Sequence, residues 1–133
     1  MSARILIIDE FEPTARLMEA RLAREYYEVR LVFDPDSVIG LARDWRPDVI
    51  ILDVMTTRTD GYALCRRLKT EPATAHVPVM IVTGLESSAE RRQGLGCGAD
   101  EFLTKPVEYD LLVARLRGKI GRASCRERVS SPV

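Results

Sequence analysis

The chain has 133 residues, about one domain at the usual ~100–200 residues per domain. Twenty Lys and Arg balance 20 Asp and Glu, which removes the usual electrostatic case for nucleic acid or anionic lipid as the main partner. A charged fraction of 30% beside 46% hydrophobic residues excludes a disordered composition.

The first apolar run, Ile5–Ile8, is only four residues long before Asp9, too short for a signal peptide or a membrane span. The chain therefore reads as cytosolic. Cys65, Cys97 and Cys125 read as reduced thiols, with Cys65 and Cys97 as packing residues. They contain no C-x-x-C pair, and His76 is the single histidine, so zinc and thioredoxin-like chemistry have no support. Further runs occur at Val49–Leu52, Val77–Val82 (interrupted by Pro78) and Phe102–Leu103. Such continuous runs suit strands buried on both faces, whereas Tyr27–Phe33 alternates with Glu28 and Arg30 and suits an edge strand.

Helical segments lie between the runs. Glu12–Glu25 has Pro13 in its first turn and Ala15, Met18 and Leu22 on one stripe. Pro35–Trp45 follows Asp34 as N-cap, and Tyr62–Lys69 follows Asp60-Gly61. Ser87–Leu95 is a poor helix stopped by Gly94 and Gly96, and Glu108–Lys119 aligns Leu112 with Leu116. Five β-α units of this length predict a parallel sheet with right-handed crossovers and helices on both faces.

Polar residues recur just past the carboxyl ends of the strands: Asp9-Glu10, Asp53, Thr83 and Lys105-Pro106. In an open parallel sheet that edge is where ligands bind. Three carboxylates brought together there repel one another, and a divalent cation with the Lys105 ammonium would balance them. Hard oxygen donors select Mg²⁺ or Mn²⁺ over zinc. One ionised carboxylate could then attack phosphorus, while Lys105 and the Thr83 hydroxyl stabilise charge on the transferring oxygens.

The segments Ile5–Glu10, Ile50–Met55, Asp60-Gly61, Val79–Gly84 and Phe102–Pro106, in this order and spacing, resemble the response-regulator receiver domain of bacterial two-component signalling. The likeness spans residues 1–119. It implies a flavodoxin-like (βα)5 fold with strand order 2-1-3-4-5. It further implies Asp53 as phosphoacceptor from a histidine kinase, with Glu10, Asp53 and the Met55 backbone carbonyl on Mg²⁺ and Asp9 acting through a metal-bound water. Thr83 and Lys105 would contact the phosphoryl oxygens, Lys105–Pro106 would be cis, and Phe102 would be an aromatic switch following Thr83.

The implied partners are a sensor histidine kinase or phosphotransfer protein, an output domain or downstream protein, and a second copy upon phosphorylation, with no direct nucleic-acid or membrane binding. The implied chemistry is limited to the chain's own phosphotransfer and slow autodephosphorylation. Two departures from the family pattern stand out: Glu10 where Asp is usual, and no proline in Met55–Gly61. Met1–Leu6, Glu25–Val29, Gln93–Leu95 and Asp100–Pro106 resemble more closely the first receiver of PleD-type response regulators, whose output is a diguanylate cyclase.

Two other readings compete. One is a Mg²⁺-dependent phosphatase with Asp53 as nucleophile, although Met55 stands where a second carboxylate would serve. The other is a pseudo-receiver that docks partners without phosphorylation. Residues 120–133 lack apolar periodicity and carry three of the arginines, and Ile120–Val129 resembles a translated sequencing adapter, so a disordered or artefactual tail is expected there.

Overall fold

The computed structural model describes residues 2–53, 61–84 and 96–130, with side chains to Gly121. The strands are β1 (Arg4–Ile8), β2 (Glu28–Val32), β3 (Val49–Asp53), β4 (Val79–Thr83) and β5 (Glu101–Thr104). They form one parallel sheet in the order β2-β1-β3-β4-β5. The alternating segment is indeed an edge strand, and Pro78, which has no N–H to donate, stands just outside β4.

The described helices are α1 (Glu12–Ala23), α2 (Val38–Trp45), α3 (Gly61–Thr70) and α4 (Tyr109–Ser130). Because side chains alternate along a strand, each run feeds two cores. Leu6, Ile8, Ile50, Leu52, Val79 and Ile81 pack with α2 and α3. Ile5, Ile7, Val49, Ile51, Met80 and Val82 pack with Ala15, Met18 and Leu22 of α1 and Leu112, Val113 and Leu116 of α4. The result is the doubly wound sheet expected. The predicted helix Ser87–Leu95 lies outside the described residues.

Helix ends differ from expectation for local reasons. The segment Pro35–Ser37 is a 3₁₀ turn rather than the start of α2, because the Asp34 carboxylate accepts from the Asp36 N–H and the Ser37 hydroxyl, both at 3.1 Å. Left-handed residues follow two helices, Tyr26 (φ 67°) after α1 and Arg46 (φ 57°) after α2. Gly98 adopts φ +87°, a conformation open to glycine, in the stretch read as a helix stop. Helix α4 runs to Ser130, into the stretch expected to be a disordered or artefactual tail, and Ile120 packs against the core. The added segment carries three arginines, a residue type that favours helix without needing an apolar stripe.

Candidate functional site

Register assembles the site. Ile8 pairs with Leu52, Asp53 with Val82, and Thr83 with Thr104. Asp9, Asp53, Thr83 and Lys105 therefore fall on neighbouring strands along one carboxyl edge.

The Asp9 N–H donates to the Val32 carbonyl at 3.1 Å, and the Asp9 Oδ1 accepts from the Phe11 N–H at 2.9 Å. These bonds fix a carboxylate that is only 4% exposed. Burial pushes its pKa above the usual carboxylate value; the Phe11 N–H opposes this, Asp53 adds to it, Lys105 opposes it and Glu10 adds to it.

Asp53 ends β3 with a side chain 8% exposed, and its Oδ2 lies 2.6 Å from the Lys105 Nζ. The Lys105 N–H donates to the Thr83 carbonyl at 2.8 Å, and the Lys105–Pro106 peptide is cis, as the resemblance implied. Thr83 is fully buried at the end of β4. Phe102 is half-buried and stacks on Tyr62 of α3, with ring centroids 6.5 Å apart and planes 13° apart. Its ring thus contributes to the core beside α3.

Asp9, Glu10 and Asp53 line one small cavity of about 10 Å³, roughly the room of a single water. Among the described residues, however, no three Asp, Glu, His or Cys side chains are gathered as a ready-made metal cage. The two observations fit together if Asp53 is engaged by Lys105. Mg²⁺ needs only one or two carboxylates and keeps several waters, so the oxygen donors present suit that ion. The Met55 carbonyl, the remaining implied ligand, lies outside the described residues.

Sequence reasoning missed the brace beneath this site. The Asp100 Oδ2 accepts from the Val79 N–H at 2.9 Å and from the Lys69 Nζ at 3.0 Å, and Lys69 also donates to the Val77 carbonyl at 2.9 Å. This ties α3 to the amino ends of β4 and β5, the strands that carry Thr83 and Lys105. No spacing in the sequence marks a lysine and an aspartate 31 residues apart as partners.

Comparison with known proteins agrees with this geometry. The family model for the response regulator receiver domain matches residues 5–117. The chain is similar to the response regulator PleD of Caulobacter vibrioides, at 47% identity over 117 residues, which is 88% of this chain and 26% of that protein. It is 36% identical over 119 residues to the DNA-binding dual master transcriptional regulator RpaA of Synechocystis, covering 90% of this chain and 49% of that protein. The chain thus spans about a quarter to a half of these relatives. Among solved structures, the signal receiver domain of a signal transduction histidine kinase from Syntrophus aciditrophicus superposes with a TM-score of 0.83 at 32% identity, covering 90% of this chain and 91% of that one. The activated N-terminal receiver domain of Klebsiella pneumoniae RstA gives 0.80 at 26% identity, covering 88% and 97%. A sheet edge carrying Asp9, Asp53, Thr83 and Lys105, within a sequence matched across residues 5–117, places this chain in the response-regulator receiver domain family.

Proposed function

We propose that Asp53 is the phosphoacceptor of this receiver domain, taking a phosphoryl group from a histidine kinase or phosphotransfer protein with Mg²⁺ as cofactor. The observation that carries this is the 2.6 Å contact between Asp53 Oδ2 and Lys105 Nζ beside buried Asp9 and Thr83. An Asp53 oxygen bonds to phosphorus as the P–N bond to the donor imidazole breaks, and the imidazole leaves with that electron pair. Lys105 then moves from the carboxylate to a phosphoryl oxygen, and the Thr83 hydroxyl donates to another. Glu10, Asp53 and the Met55 carbonyl would hold Mg²⁺, with Asp9 acting through a water, and the bound ion would supply charge neutralisation for the transferred group.

Phosphorylation drawing Thr83 inward would bias the residues around Ser87–Leu95 and Phe102, and so the surface offered to an output domain, a downstream protein or a second copy. The 47% identity to PleD supports a diguanylate cyclase as the output, carried beyond this chain. No helix among the described residues is long and apolar enough to cross a membrane, which supports a cytoplasmic location. Zero net charge supports an indirect role, if any, at nucleic acid. The receiver domain is assigned to residues 1–119; Ile120, the next residue, packs against its core.

The test is incubation with Mg²⁺ and acetyl phosphate followed by intact mass. A gain of about 80 Da, one phosphoryl group, is expected for wild type and none for Asp53→Asn. Equal labelling of both would refute the assignment, and absence of labelling together with absence of Mg²⁺ binding would favour the pseudo-receiver.

A further inference from the structure

We infer that this domain carries a second, separate binding site, for a small organic phosphate, between the carboxyl end of α2 and the loop entering β4. A cavity of about 360 Å³ lies there, walled by Arg43 and Arg46 on one side and by Pro72 and His76 on the other. This is within the size range of small-molecule sites. It opens at the amino edge of the sheet, a strand's length of about 13 Å from Asp53.

The lining gathers three nitrogen donors and no acid. One cation at the carboxyl end of α2 is explained by the partial negative charge of the helix terminus, and Arg43 stands in that last turn. Arg43 also has a partner, Asp44 at 3.3 Å, in an exposed pair. Arg46, the C-cap residue of α2, shares the first account but has no such partner, and His76 is covered by neither. Among the described residues, Arg46 and His76 have no carboxylate within ion-pair distance. Arg46 is moreover held in the left-handed region at φ 57°, where residues with a Cβ seldom sit, by its N–H to the Ala42 carbonyl at 3.1 Å.

The opposite wall is rigidly built. Thr74 is fully buried and donates to the Leu68 carbonyl at 2.6 Å, while the Val77 N–H donates to the Thr74 carbonyl at 3.0 Å and Lys69 holds the Val77 carbonyl. His76 is thus presented from a fixed loop. Two arginines and a histidine lining one space suit the oxygens of a phosphate better than those of a single carboxylate.

Titrating the ¹⁵N-labelled chain with pyrophosphate, Mg²⁺ omitted, tests the site. Saturable amide shifts centred on Arg43, Arg46, Ala73 and His76 are expected, with a Kd at or below about 1 mM. Arg46→Gln should weaken binding about tenfold, the usual effect of losing one charge-assisted hydrogen bond, and Arg46→Lys by less. Arg46 is exposed, so amide dispersion should stay native in both variants. Absence of saturable shifts, shifts centred on Thr83 and Lys105, or an unchanged Kd in Arg46→Gln would each overturn the proposal. Binding of a phosphoserine peptide without binding of pyrophosphate would overturn the assignment to a free small molecule.

Discussion

The Asp53 Oδ2 and the Lys105 Nζ meet at 2.6 Å although 52 positions separate them in the chain. Their strands are not neighbours: β4 lies between β3 and β5, so the lysine reaches across Thr83 to the aspartate. In the proposed reaction Lys105 first neutralises Asp53 and then follows the incoming phosphoryl oxygen. Lys105→Ala should slow labelling of Asp53 by acetyl phosphate by about 100-fold, the usual effect of removing one preorganised donor, with the far-ultraviolet circular dichroism unchanged. A wild-type labelling rate, read by time-resolved intact mass, would remove Lys105 from the chemistry.

Asp9 titrates against the fold. Its pKa is raised in the native state, so the folded chain binds this proton more tightly than the unfolded chain does. Its contribution therefore favours folding at low pH and is lost as pH climbs from the unfolded value of about 4 through the raised native one. Without divalent ions, Asp9→Asn should be more stable than wild type at neutral pH, with the gap in Tm closing on acidification. Adding Mg²⁺ should stabilise wild type and leave Asp9→Asn nearly unmoved. A gap that widens toward acid would contradict the sign.

The thiols of Cys65 and Cys97 are buried, and the Cys65 Sγ donates to the Cys97 carbonyl at 3.6 Å. Burial is the main cause pushing the Cys65 pKa up, with Cys97 next. A buried, protonated thiol is a poor nucleophile. Iodoacetamide at mildly alkaline pH should leave both residues unmodified in the native chain and alkylate them in denaturant, as read by peptide mass mapping.

Leu116 is fully buried seven residues into α4, against the core it shares with α1. Leu116→Ala should cost about 2–5 kcal/mol in urea unfolding. Ending the chain after Gly121 should change stability by no more than about 1 kcal/mol, the scale of a surface change. A large loss on truncation would mean that the last turns of α4 carry packing of their own.

Tyr26 is 86% exposed in the left-handed conformation, with its N–H on the Ala23 carbonyl at 3.0 Å. A side chain there costs about 1–2 kcal/mol, and glycine gives back about 0.5–1 kcal/mol in unfolded-state freedom. Tyr26→Gly should therefore raise stability by about 0.5–1 kcal/mol, measured by the urea midpoint.

Much of this was readable in the sequence because it depends on short-range pattern. Four continuous apolar runs and one alternating run set the five strands and one edge of the sheet. The same pattern put Asp9, Asp53 and Thr83 one step and Lys105 two steps beyond those runs, and a parallel sheet brings such positions to a common edge whatever lies between them. What was not readable depends on distant side chains. The Lys69–Asp100 brace, the left-handed turns at Tyr26 and Arg46 and the cavity beside His76 leave no periodic trace.

Trp45, the single tryptophan, has the Arg4 guanidinium 5.7 Å from its ring centroid and that of Arg30 5.3 Å away, while Arg4 also donates to its carbonyl at 2.6 Å. Separation of these groups on unfolding changes the surroundings of the indole, whereas events at Asp53 occur at the far end of β3. The chain thus contains a built-in optical reporter of global unfolding, and emission from this ring can follow denaturation without being confounded by the state of the aspartate.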